Sequence, residues 1–205
     1  DNSTLIFDWN DIYSFYLDFK KIDFNKFHLI EKPLLKLKPH QQKCIIEFNE
    51  NNNKNFVIGF KCRSGKTYTI AGIIYHQGIN KNYLIITSAP TETLGQIFSI
   101  FNDYENFKDF NIQVLNKNSK IINEINNILI CSIQFLKNEK DNLIKRKLRT
   151  MNFHLRIIDE GHFSTMTDKS FDLYTKYGNN IRTIWVSATP RKILNNIKDC
   201  YLSYF

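Results

Sequence analysis

The run Gly59-Phe60-Lys61-Cys62-Arg63-Ser64-Gly65-Lys66-Thr67 sets a glycine, a lysine and a hydroxyl side by side. An apolar, β-rich stretch (residues 55–60) precedes it and a stretch of helical character (66–79) follows. That is the setting a phosphate-binding loop requires, with backbone N–H groups and a helix N-terminus facing anionic oxygens. Lys66 would reach the β- and γ-phosphates, and the Thr67 hydroxyl would serve Mg²⁺. The match to G-x-x-x-x-G-K-[ST] is imperfect, because Phe60 stands at the first glycine position and Gly59 lies one residue early. Taken alone, Gly-Lys-Thr could equally be an ordinary strand-to-helix turn.

A second run removes much of that ambiguity. In Arg156-Ile157-Ile158-Asp159-Glu160-Gly161-His162 two carboxylates end an apolar strand. Asp159 in that place would hold Mg²⁺, through water, and Glu160 would position and polarise an attacking water. A third run, Val186-Ser187-Ala188-Thr189-Pro190, again puts small polar residues at the end of an apolar segment. As a lone tripeptide Ser-Ala-Thr is an unremarkable turn, and its weight comes from order and position.

These runs need elements to hold them. Strands are predicted at 55–60, 83–88, 112–115, 128–132, 155–159 and 183–187, and helices at 40–50, 66–79, 91–107 and 133–150. Continuous apolar runs such as Tyr83-Leu84-Ile85-Ile86 suit strands buried on both faces. Their alternation with helices implies a mostly parallel sheet with helices on both sides. Ligands bind beyond the carboxyl ends of such strands, and each chemical run falls there. Before this domain, Trp9, Ile12, Tyr16 and Phe19 share one helical face, and Phe24, Phe27 and Ile30 follow. Residues 1–36 are read as a mostly helical appendage, and 37–205 as the main domain.

Composition narrows the partners. The 205 residues carry a net charge of +8 and a pI of about 9.2, which favours a polyanion without distinguishing it from a generic basic surface. The cluster Lys145-Arg146-Lys147-Leu148-Arg149 is a candidate contact, although a charge run is more often a solvated helix face. Cys44, Cys62, Cys131 and Cys200 have no metal-ligand spacing and read as reduced thiols of an intracellular protein. No apolar run is long enough to span a bilayer, and the start is not a secretory signal. Heavy use of Asn, Lys and Ile, as in Glu50-Asn51-Asn52-Asn53-Lys54-Asn55, suits an AT-rich genome such as that of a large DNA virus or a protist.

In order and position the runs resemble the first RecA-like domain of superfamily 2 helicases, of the DExH type and similar to type III restriction-enzyme-like helicases. The resemblance covers nearly the whole chain and implies a RecA-like three-layer sandwich that uses ATP and Mg²⁺. Leu37-Lys38-Pro39-His40-Gln41 resembles the element upstream of the phosphate loop, which implies that Gln41 contacts adenine. Arg63, Ser64, Gly65, Lys66 and Thr67 match motif I, and Asp159 to His162 match motif II, with His162 linking the ATP site to the nucleic-acid side. Ser187, Ala188 and Thr189 match motif III, which couples nucleotide state to strand handling. Pro90 and Thr91 fall in a motif Ia that touches the nucleic-acid backbone, and Ser132 and Gln134 occupy the place of a further strand-contacting motif.

The departures matter too. Arg63 stands where the family often has a second glycine, implying a loop that is less flexible or differently shaped. The spacing in Leu94-Gly95-Gln96 is one residue shorter than the common form, and Asp-Glu-Gly-His shifts the expected substrate towards DNA. The second RecA-like domain, with its arginine finger, is expected outside these residues. Two other readings compete with an ATP-driven motor. A degenerate scaffold would have no use for Lys66, Thr67, Asp159 and Glu160 together. A GTPase would need an Asp that Asn116-Lys117-Asn118 lacks.

Overall fold

The computed structural model describes residues 32–88, 91–121, 123–137, 142–159, 173–174, 176–178 and 181–204. Lys32–Phe205 form one compact unit. The aromatic helix read within residues 1–36 lies outside the described residues up to Glu31, and residues 32–38 run without helix to α1.

The elements alternate as the apolar pattern requires. They run α1 (Pro39–Glu50), β1 (Asn55–Gly59), α2 (Lys66–Gln77), β2 (Tyr83–Thr87), α3 (Thr91–Asn102), β3 (Asn111–Val114) and β4 (Asn127–Ser132). They continue with α4 (Ile133–Lys137), α5 (Leu143–Thr150), β5 (Leu155–Asp159), β6 (Arg182–Val186), α6 (Arg191–Leu194) and β7 (Cys200–Tyr204). The long helix expected over 91–107 stops at Asn102, and a separate 3₁₀ turn covers Glu105–Phe107. The stretch 133–150 holds two helices, the second opened by Asn142, whose side chain accepts from the Lys145 N–H at 2.9 Å.

The seven strands form one sheet in the order β3-β4-β2-β5-β6-β1-β7. Every pairing is parallel, so the sheet is wholly rather than mostly parallel. Alternate residues feed two cores. Phe56, Ile58, Ile85, Ile130, Ile157 and Ile184 face α1, α2 and α3. Val57, Leu84, Ile86, Leu129, Ile158 and Trp185 face α4, α5 and α6. Both faces are therefore dry, which is why the strands read as unbroken apolar runs. The seventh strand, Cys-Tyr-Leu-Ser-Tyr, escaped the sequence reading because it is an edge strand with Leu202 and Tyr204 exposed.

The ends of the sheet differ in chemistry. At the amino ends, buried Asn82 donates to the Glu124 and Asn152 carbonyls at 2.7 and 3.1 Å and accepts from the Asn127 side chain at 2.8 Å. A cleft of about 700 Å³ beside it is lined by Lys81, Lys147, His154 and Arg182. Its cations serve main-chain carbonyls: Lys81 donates to Gln77 at 2.7 Å, Lys147 to Ile121, and Arg182 to Phe48 at 2.9 Å and to Asn51. Cations at helix carboxyl ends oppose the helix dipole, so this cleft is explained by the fold. Among the described residues, no helix is long and apolar enough to cross a membrane.

Candidate nucleotide site

The carboxyl ends of β1, β6, β5 and β2 lie in a row, because β1 and β2 are adjacent in sequence but separated in the sheet by β6 and β5. This is a topological switch point, where an open parallel sheet forms a crevice. Gly59 ends β1 with no room for a side chain: an added Cβ would lie 2.8 Å from Tyr204 Cδ2 and 2.9 Å from Pro190 Cγ. Its glycine identity is thus a packing need imposed by β7 and the start of α6. Phe60, at the first glycine position of the phosphate-loop pattern, is fully buried and meets the His40 ring edge-on at 5.6 Å.

Beyond Phe60 the backbone turns sharply. The Lys61 carbonyl accepts from the Ser64 N–H at 3.3 Å and from the Ser64 hydroxyl at 2.7 Å. Arg63 and Gly65 both take left-handed conformations, with φ of 62° and 81°. The position where the family often carries glycine therefore has a backbone that favours glycine, and Arg63 holds it at a cost of roughly 1–2 kcal/mol. α2 then starts at Lys66, with Gly65 as its N-cap and the Thr69 N–H closing the first turn onto the Gly65 carbonyl at 3.1 Å. The first N–H groups of this helix have no partners within the helix, and Lys66 and Thr67 are half-buried at that end.

α1 holds the loop from outside. Gln41 is buried, at 3% exposure. Its Oε1 accepts from the Lys38 N–H at 2.8 Å, and its Nε2 donates to the Gly65 carbonyl at 3.1 Å and the Ser64 carbonyl at 3.4 Å. His40 Nε2 also lies 3.0 Å from the Ser64 carbonyl. Pro39 at the first turn fixes where α1 begins. The Gln41 side chain thus grips the loop backbone, a role its sequence position did not suggest.

Asp159 stands at the end of β5, at 6% exposure. Register places it directly opposite Thr87 on β2 and Val186 on β6. The Thr87 hydroxyl donates to Asp159 Oδ2 at 3.3 Å. Ser187 is buried beside β1, its N–H donating to the Ile58 carbonyl at 3.0 Å, and its hydroxyl accepts from the Thr189 N–H at 3.0 Å. Ser187, Ala188 and Thr189 therefore make a short self-bonded turn leading to Pro190. Ser132 pairs in register with Thr87, and its hydroxyl accepts from the Phe135 N–H at 3.1 Å, capping α4, while Gln134 is exposed. Thr91 opens α3. Pro90, Glu160, Gly161 and His162 lie outside the described residues.

In the basic cluster, Ile144, Lys145 and Leu148 are buried, Lys145 Nζ sits 5.5 Å from the centre of the Phe135 ring, and Arg146 is exposed. The cluster is thus partly packing. Sequence reasoning missed two residues beside the site, His40 and Thr87, and one that braces the other face of β5, Arg156. Arg156 carried a legible signal, a lone charge inside an apolar strand. Its guanidinium is buried on β5 and donates to the carbonyls of Tyr174, Tyr177 and Gly178 at 2.7, 2.9 and 3.2 Å, and to Thr183 Oγ1 at 2.8 Å. Burial pushes its pKa down to about 10, so it remains a cation at neutral pH.

Residues 34–192 match the family described as "Type III restriction enzyme, res subunit". The chain belongs to that family. Its fold is similar to that of the UvsW helicase from bacteriophage T4 (TM-score 0.60, 15% identity, covering 98% of this chain and 70% of that one). It is similar to the SWI2/SNF2 ATPase core of Sulfolobus solfataricus, solved with dsDNA (0.57, 13%, covering 84% and 36%). It is also similar to a DEAD box protein from Methanococcus jannaschii (0.59, 20%, covering 88% and 55%). No curated protein matches it. As a res-subunit relative with this sheet order and these strand-end runs, the chain is a RecA-like, ATP-binding helicase motor domain of superfamily 2. It spans only about a third and a half of the last two structures.

Proposed function

We propose that this domain binds Mg·ATP in the crevice between the 60–65 loop and the end of β5, and that hydrolysis there drives movement along nucleic acid. The observation that carries the reading is the junction of a doubly left-handed loop with the N-terminus of α2, two strands along the sheet from a buried carboxylate at a topological switch point. The loop N–H groups and Lys66 bind the phosphates, while Arg63 and Ser64 line the approach. Gln41 holds the loop here, and its contact with adenine is made when its amide turns away from the Ser64 and Gly65 carbonyls.

The donors suit Mg²⁺, a hard cation usually bound by one or two protein oxygens with the rest from phosphate and water. Here those oxygens are the Thr67 hydroxyl and the Asp159 carboxylate. Bound there, Mg²⁺ would supply neutralisation of the phosphate charge. Glu160 orients the attacking water, and His162 with Ser187, Ala188 and Thr189 passes the nucleotide state to the strand-binding side. Pro90, Thr91, Ser132 and Gln134 contact the sugar-phosphate backbone, a mode that needs no base readout. The restriction-enzyme family and the Asp-Glu-Gly-His run favour DNA over RNA. A second RecA-like domain supplies the arginine that completes the site, an effect of roughly three to five orders of magnitude in related phosphoryl transfer.

Nucleotide binding to wild type, Lys66→Ala and Glu160→Gln tests this. Lys66→Ala should weaken Mg·ATP binding about 10- to 100-fold, the equivalent of one charged hydrogen bond. Glu160→Gln should bind normally and, joined to the second domain, fail to turn over. Residues 1–205 alone should hydrolyse slowly and unwind nothing. Brisk, nucleic-acid-stimulated turnover by these residues would sink the half-site reading.

A further inference from the structure

Building on that reading of the nucleotide site, we propose that Thr87 is a positioning residue for the metal-binding acid, setting the orientation of the Asp159 carboxylate from the neighbouring strand. β2 and β5 are adjacent and parallel, and Thr87 and Asp159 are register partners. Side chains at paired positions of adjacent strands leave the sheet on the same face. The next link of the ladder, from the Ser88 N–H to the Asp159 carbonyl at 3.4 Å, continues the pairing past the end of β2. On that shared face the Thr87 hydroxyl donates to Asp159 Oδ2.

The torsion that turns a carboxylate plane is broad and roughly two-fold, so the acid does not fix its own orientation. Threonine is suited to fixing it. Its β-branched side chain has few χ1 options, and here it is fully buried, at 0% exposure. The hydroxyl has one proton to give, and given to Oδ2 it selects one rotation of the carboxylate. At 3.3 Å the contact is long for an O–H···O bond, so its expected effect is at the lower end of what an orienting bond supplies. Valine of the same shape would fill the space, so packing alone does not call for a hydroxyl. Thr87 also belongs to the strand that leads into α3, whose start carries the proposed backbone contact Thr91.

The test is a Mg²⁺ titration of fluorescent ATP-analogue binding to the 205-residue chain, with Thr87→Val, Thr87→Ser and Lys66→Ala alongside wild type and thermal melts as folding controls. Thr87→Val should raise the Mg²⁺ midpoint about tenfold, the lower end of what loss of a ligand-orienting hydrogen bond costs. Its metal-free nucleotide affinity should stay within about twofold of wild type, a split that general destabilisation does not produce. Thr87→Ser keeps the hydroxyl and should restore the wild-type midpoint despite the lost methyl group. Equal midpoints for Thr87→Val and wild type overturn the proposal, and so does a Thr87→Ser midpoint shifted as far as that of Thr87→Val. Should Thr87→Val not melt cooperatively, Thr87→Ser decides alone, since a shifted midpoint there overturns the proposal. If wild type itself shows no Mg²⁺-dependent binding sensitive to Lys66→Ala, the nucleotide-site reading fails and this proposal falls with it. If wild type shows it and Thr87→Val is indistinguishable, only the role of Thr87 is refuted.

Discussion

Gly65→Ala probes the link between the loop and α1. At φ 81° an alanine pays roughly 1–2 kcal/mol for the left-handed conformation. Its Cβ would also lie 2.5 Å from Gln41 Nε2, a distance that real contacts do not tolerate. The Gln41 amide must then move, breaking its bonds to the Gly65 carbonyl and the Lys38 N–H at about 1 kcal/mol each. Reduced freedom of the unfolded chain returns about 0.5–1 kcal/mol. The expected net loss is about 2–3 kcal/mol, read from urea unfolding as a shifted midpoint at constant slope. Gln41→Ala removes both the obstacle and the same two bonds, so the double variant should be more stable than additivity implies by about 2 kcal/mol. Loss of nucleotide binding should accompany Gly65→Ala, because Lys66 follows directly on the strained residue. A single variant within about 0.5 kcal/mol of wild type, or a strictly additive double variant, would refute the clamp.

Two further outcomes are expected. Arg156→Met should cost about 3–5 kcal/mol, because it strips three buried carbonyls and Thr183 of their donor, and Arg156→Lys should rescue little, since an ammonium lacks the planar fork. Chemical denaturation measures both, and a fully stable Lys variant would count against the fork. In a Cys200→Ser background, maleimide at neutral pH should label exposed Cys62 and spare Cys44 and Cys131, whose thiols are buried and pushed up to about 12 and so stay protonated. Saturating Mg·ATP should slow Cys62 labelling in wild type but not in Lys66→Ala; labelling that ignores nucleotide would place the site elsewhere.

Much of the architecture was legible because the sheet is parallel and buried on both faces. Six of seven strands announced themselves as apolar runs, with Asp159 ending β5, Ser187 following β6, and Lys66 opening the helix after β1. β7 was not legible: unlike β3, the other edge strand, its one buried residue is the polar Ser203. Neither was the break between α4 and α5, because both helices share one amphipathic pattern across residues 133–150.

The phosphate loop shows the same division. Sequence alone determined that Gly65, Lys66 and Thr67 open a helix after a buried strand, and that Asp159 ends another. Those features depend on local periodicity and on residue type. It could not say why Gly59 is a glycine, which is decided by Tyr204 and Pro190 arriving from over a hundred residues away. Nor could it say that Gln41 grips the loop, that Arg63 adopts a glycine-like backbone, or that Thr87 meets Asp159. Each of these depends on which strands become neighbours and in what register. Neighbour and register are set by burial summed over the whole sheet, which no single stretch of sequence contains.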